Sequence, residues 1–268
     1  MKDDKQLWGQ LSKAEKPSVE SNDQRIKSLL RRSRRISVLT GAGVSTEAGI
    51  PDFKSTDETW PYEEPRDALL SAPYWRKDPR SFWEVYRSTL RATEFQGELE
   101  PTRFHRWLVD LEHREETTFL EVLTQNVDGL HTKAGSSKVT EAHGNSSRAI
   151  CIECRNTFPM VDLEGDLLPT CPICGFPPLK PDISLFFEGV HGVGEFRTSL
   201  DWSDLLIVAG TGLQVGPVNE LPFYAQRYMV PTLWISNDEP PEDYRFTHLW
   251  IGDLGEFTER FPTVDLSS

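Results

Sequence analysis

Residues 41–55 read GAGVSTEAGIPDFKS and follow directly on RRISVL at 34–39. An apolar, β-branched run that passes at once into glycines reads as a buried strand feeding a glycine turn. Gly41 and Gly43 would let the backbone approach a pyrophosphate, and the N-terminus of a following helix would favour its charge. The third glycine of the dinucleotide fingerprint is missing, because Thr46 holds its place, which disfavours an ordinary dehydrogenase.

Working outward, further apolar runs at 119–124 (FLEVLT), 205–210 (LLIVAG) and 232–236 (TLWIS) read as buried parallel strands, with a last one at 248–253. Helical periodicity appears between them, at 78–92 and at 101–115, where Phe104, Trp107, Leu108 and Leu111 recur on one face. This alternation predicts an α/β fold with a Rossmann-like, doubly wound parallel sheet. A short amphipathic helix is expected over 23–35. Its Arg31, Arg32, Arg34 and Arg35 read as cations complementing a helix C-terminus rather than as a binding patch. Residues 1–21 are polar and aperiodic and are expected to be a flexible tail.

The bulk numbers narrow the function classes. The 268-residue chain is 37% hydrophobic and 26% charged, as in a globular protein. No apolar run suggests a membrane span, and no secretory signal is evident at the start, so a cytoplasmic protein is expected. The formal net charge of −13 argues against nucleic-acid binding and suits cationic partners such as lysine-rich peptides.

All four cysteines lie in two pairs, CIEC at 151–154 and CPIC at 171–174. Two such knuckles can place four thiolates around one ion, so Cys151, Cys154, Cys171 and Cys174 are expected to hold a single structural Zn²⁺. A closed four-thiolate site leaves no position for catalytic water, so the chemistry must lie elsewhere. The surrounding segment, 144–181, reads as an inserted zinc module.

Chemistry is expected at the strand ends, where ligands of open parallel sheets bind. Four of them carry polar clusters: GAGVS, TQNVDGLH at 124–131, GTGLQVGP at 210–217 and SND at 236–238. Together they suggest a dinucleotide crevice. His143, in EAHGN beside the zinc module, is the histidine best placed to act as a general base. His105, His113 and His131 read as structural or helix-surface residues.

Taken in order, GAGVSTEAGIPDF, PTRFHRWL, TQNVDGLH, EAHGN, the two cysteine pairs, KPDISLFFEG, GTGLQVGP and SND resemble the sirtuins, the NAD-dependent protein-lysine deacylases. The resemblance implies a Rossmann-like domain from 22–54, 101–143 and 182–268, and a small domain from 55–100 and 144–181. NAD and an acyl-lysine protein or peptide would meet in the cleft between them. It implies His143, Asn126 and Asp128 as catalytic residues. It places NAD along Gly41, Ala42, Gly43, Ile50, Pro51, Asp52, Phe53, Lys54, Gln125, Asn126, Asp128, Gly210, Thr211, Gly212 and Asn237. Substrate would lie against Val127, Phe187, Glu188, Gly189, Leu213 and Val215, adding as a strand between 186–189 and 212–215. The products implied are free lysine, nicotinamide and O-acyl-ADP-ribose.

Three positions depart from the family pattern. Lys54 replaces an arginine and loses its planar fork. Phe187 replaces the glycine of Phe-Gly-Glu. Gly212 replaces a serine and loses a hydroxyl. These departures keep open an NAD hydrolase or ADP-ribosyltransferase using the same site. Family members that take acidic acyl groups pair a tyrosine with an arginine three residues later; Tyr86 is followed there by Thr89. Succinyl and malonyl are therefore disfavoured, which leaves acetyl or a longer neutral acyl.

Overall fold

The computed structural model describes residues 21–52, 60–91, 99–163, 165–175 and 178–266. Its strands, in chain order, are β1 (Arg35–Thr40), β2 (Phe119–Thr124), β3 (Val139–Glu141), β4 (Gly144–Ile150), β5 (Thr157–Pro159), β6 (Lys180–Ile183), β7 (Leu205–Ala209), β8 (Thr232–Ser236) and β9 (His248–Ile251).

Six strands form one sheet in the order β3-β2-β1-β7-β8-β9, parallel throughout. The chain winds outward from β1 to β3, returns to the centre at β7 and winds out the other way. That reversal is the Rossmann-like order, and its switch point lies between β1 and β7. The apolar runs are continuous because both faces are covered. Ile36 and Val38 of β1 join a core with helices Asn22–Arg32, Arg103–Glu112 and Leu254–Arg260. Leu39 joins the opposite core, with Val193–Leu200 and Leu221–Arg227. This is the alternation expected of successive strand residues.

The second sheet, β5-β4-β6, is antiparallel and belongs to the cysteine module. It shares a third core with helix Pro79–Tyr86: Phe82, Trp83 and Tyr86 pack with Ala149, Cys151, Cys171 and Leu179. The Trp83 indole N–H donates to Leu179 O at 3.0 Å, so the largest buried ring also meets its polar requirement.

Several expected boundaries shift for local reasons. The first helix ends at Arg32, and Arg35 opens β1, where Asp204 takes its guanidinium at 2.7 Å. Arg31 donates to Asp265 O, so Arg31 and Arg35 are occupied within the fold. Thr102 caps the helix expected at 101–115, which spans Arg103–Glu112. The α-helix expected over 78–92 covers Pro79–Tyr86 and continues as a π-helical stretch, Arg87–Arg91. A preceding helix, Ala72–Lys77, was not expected; Asp78 separates the two, closing one and capping the next. β3 is too short to show a period, and β4 carries mostly polar residues. No helix among the described residues is long and apolar enough to cross a membrane. Of the expected tail, 1–21, residues 1–20 lie outside the described residues, while Ser21 caps the first helix.

Candidate active site

The carboxyl ends of β1, β2 and β3 open onto a cavity of about 410 Å³. Its far wall is the loop after β6 together with Arg66 and Leu70, so it lies between the two sheets. Of the expected residues, Ala42, Ile50, Pro51, Gln125, Asn126, Val127, Asp128, His143, Phe187, Glu188 and Val215 line it.

His143 lies two residues after the end of β3 and directly before β4. Its Nδ1 lies 2.9 Å from Gln125 O. A carbonyl only accepts, so Nδ1 carries the proton and Nε2 is left as the ring's acceptor. Burial lowers the His143 pKa, against the opposing effect of the Gln125 hydrogen bond. The ring is therefore neutral at pH 7, as a base requires.

Asn126 and Asp128 are held by Ser45, which the sequence reading passed over. The fully buried Ser45 hydroxyl accepts from Asn126 Nδ2 at 3.0 Å and donates to Asp128 Oδ2 at 2.7 Å. Leu130 N–H holds the other carboxylate oxygen, Oδ1, at 2.9 Å. One hydroxyl from the loop after β1 thus fixes two polar side chains from the loop after β2. Gln125 makes a further link. Its side-chain Oε1 accepts from Thr211 Oγ1 at 2.7 Å, while its backbone oxygen holds His143.

The glycines of the opening stretch also meet a steric need within the fold. Residues 42–48 form a 3₁₀ helix, and Gly41 and Gly43 donate to Ala209 O and Gly210 O, at 3.1 and 2.8 Å. A Cβ on Gly41 would lie 2.7 Å from Thr211 Cβ, and one on Gly43 would lie 2.8 Å from Gly210 Cα. What requires glycine is the close approach of the β1 and β7 loops at the switch point.

Other expected residues lie off the cavity. The Leu213 side chain is buried in the core beside Leu221, and Val215 and Gly216 form the cavity wall there. Gly41, Gly43, Asp52, Gly189, Gly210, Thr211, Gly212 and Asn237 are likewise not in the lining. Phe53 and Lys54 lie outside the described residues. Glu188 lines the cavity, yet its Oε2 is engaged by Lys180 Nζ at 2.9 Å and Leu185 N at 3.0 Å, which makes it a brace of its own loop. Arg66, buried and stacked 5.2 Å from the Trp60 ring centroid, adds a cation to the wall that no periodicity announced.

Behind the site lies a buried imidazole pair. His105 and His131 have ring centroids 4.4 Å apart. Thr102 N–H donates to His105 Nδ1 at 3.2 Å, and Thr40 Oγ1 meets His131 Nε2 at 2.9 Å. His105 Nε2 and His131 Nδ1 have no hydrogen-bond partner among the described residues. Burial pulls His105 down to about 4 and His131 well below its ordinary value.

The four cysteine sulfurs all lie within 4.8 Å of one another, with Cys151–Cys174 and Cys154–Cys171 both at 3.6 Å. A tetrahedron of thiolates about 2.3 Å from an ion has edges of about 3.8 Å, so the donor set fits one structural zinc. A disulfide would need sulfurs at about 2.05 Å. Asn156 pulls the Cys154 thiol down to about 6, towards the thiolate a metal needs.

The comparisons with known proteins agree. The sequence model of the Sir2 family matches residues 41–217. The chain is 40% identical over 221 residues to an NAD-dependent protein deacetylase of Chromobacterium violaceum, covering 82% of this chain and 88% of that protein. One from Bacillus cereus is 34% identical over 237 residues, covering 88% and 95%. Among solved structures, a Sir2 enzyme superposes with a TM-score of 0.79 at 28% identity, covering 92% of this chain and 97% of that one. A Sir2 complex with a p53 peptide and NAD⁺ gives 0.75 at 30% identity, covering 88% and 95%.

Proposed function

Because the chain belongs to the Sir2 family, we propose that the cleft divides the family's reaction among the residues just described. The protein is an NAD-dependent protein deacetylase that acts on acetyl-lysine. When bound, NAD supplies a ribose carbon that accepts the acyl oxygen as nicotinamide leaves; water completes the transfer, giving lysine, nicotinamide and O-acetyl-ADP-ribose.

His143 is the general base. It takes a ribose hydroxyl proton on Nε2 and keeps its own on Nδ1, against Gln125 O. Asn126 and Asp128, fixed through Ser45, form the polar floor that orients the nicotinamide and its ribose. Gly41–Gly43 and Gly210–Gly212 carry the phosphates and adenosine ribose at the switch point, with Asn237 on the adenosine side. Ile50 and Pro51 cover the reactive end. The acyl-lysine arm enters past Val127 and the loop after β6, and the apolar walls exclude water from the reacting atoms. In this reading 22–54, 101–143 and 182–268 bind NAD, while 55–100 and 144–181 close the cleft. A four-thiolate site and a nucleotide co-substrate suit the cytoplasm.

The observation that carries the reading is the oriented, neutral His143 on the cavity wall. The test follows nicotinamide release with and without an acetyl-lysine peptide, in the native protein and in His143→Ala. Release should require the peptide, and the variant should lose about 10²–10⁴-fold. Equal release without peptide would replace deacetylation by NAD hydrolysis. Wild-type rates in His143→Ala would remove it as the base.

A further inference from the structure

The deacetylation chemistry gives no role to the Phe187 ring. Leu185 to Glu188 form a tight turn closed by Glu188 N–H to Leu185 O at 2.9 Å, and Phe187, its third residue, has φ +69°. That position of a turn favours glycine, because side chains are disfavoured in the left-handed region. The fold gains little burial from the phenylalanine, whose side chain is left 78% exposed. Strained backbone of this kind concentrates at functional sites.

The turn is held on both sides. Phe186 N donates to Leu70 O and Ala72 N donates to Phe186 O, each at 3.1 Å. Ser184 Oγ donates to Gly189 O at 2.9 Å, and Glu188 binds Lys180. The Phe187 ring therefore stands on a preset support. It lines the cavity together with Phe186 and Val215, which are 37% and 43% exposed. The loop's one carboxylate, Glu188, is neutralised by Lys180, so this rim is apolar rather than acidic even though the chain is not.

We propose that Phe187 is a specificity-determining residue whose ring, with Phe186 and Val215, receives an apolar side chain flanking the acetyl-lysine of the substrate. The occupant is fixed by continuity with the cavity that takes the acyl-lysine arm, and so the proposal rests on the deacetylase reading.

Two acetyl-lysine peptides that differ only in carrying leucine or glycine on both sides of the modified lysine test it. Binding is measured by calorimetry and turnover by nicotinamide release, in the native protein, Phe187→Gly and Phe187→Leu. Glycine suits φ +69°, so Phe187→Gly is expected to fold; Phe187→Leu keeps an apolar contact should it not. The native protein should bind the leucine-flanked peptide about tenfold more tightly. Phe187→Gly should reduce that ratio to within about twofold, and Phe187→Leu should keep part of it. A native ratio near one, or a full ratio surviving in Phe187→Gly, overturns the proposal. If neither peptide supports nicotinamide release while the binding ratio behaves as stated, the deacetylase reading fails and the proposal falls with it. Turnover of both peptides with no preference sinks this one alone.

Discussion

His143 carries a prediction in its own titration. A base must be neutral to accept a proton, and burial holds this imidazole below its ordinary value of 6.5. Lowering a base's pKa extends its working range towards acid. The peptide-dependent rate should therefore show an acid limb centred below pH 6.5. An acid limb centred at or above 6.5 would show that burial does not control the group. His143 was legible because it stands in a recognisable run beside the zinc module. Ser45 was not, since a hydroxyl after two glycines has the look of a turn residue, and its two bonds reach across 81 and 83 positions. Phe187 was visible as a departure in residue type, while its left-handed backbone came only with the turn around it. The burial of the Leu213 side chain was not readable either, because a strand-end loop offers its side chains to either the cleft or the core, and here helix Leu221–Arg227 supplied the core.

The elements that matter most are the loops after β1 and β7, which touch backbone to backbone. Gly43→Ala would place a methyl 2.8 Å from Gly210 Cα and 3.0 Å from Gly210 O. Neither atom lies on a flexible side chain, so the loops must part. Stability should drop by about 1–3 kcal/mol, and the KM for NAD should rise more than the KM for peptide. Equal effects on both constants would mean that the two loops do not shape the nucleotide side. Apolar runs such as β1 and β7 were readable in sequence because a doubly covered strand leaves no polar gap. The antiparallel sheet was not, since β5 has three residues and β4 reads GNSSRAI. What holds those strands is the shared core with Trp83 and the cysteine knuckles, a non-local contact that leaves no period.

Across the whole molecule, the cysteine cluster and the cavity are mechanically joined. Cys151 and Cys171 pack in the same core as Leu70, Ile183 and Leu185, which also line the cavity. Stripping zinc with a strong chelator should abolish peptide-dependent turnover although no cysteine lines the cavity, and zinc added back should restore it. Full activity at a zinc content near zero would break that link. The buried imidazoles have another outcome, in the linkage between protons and folding. Burial holds His105 at about 4, with Asp128 and Glu47 opposing and Arg106 adding to the shift; burial and the nearby His105 depress His131. A depressed pKa means that the unfolded chain binds the proton first, so the pair's contribution is complete above about pH 6.5 and is lost as pH falls towards 4. For His105 alone the loss is on the order of 3 kcal/mol at pH 4. Urea midpoints between pH 7 and 4.5 should therefore fall before most carboxylates titrate, and His105→Gln should flatten that slope. The two rings behind the catalytic floor thus make unfolding proton-coupled, and acid should loosen the strand ends that assemble the site.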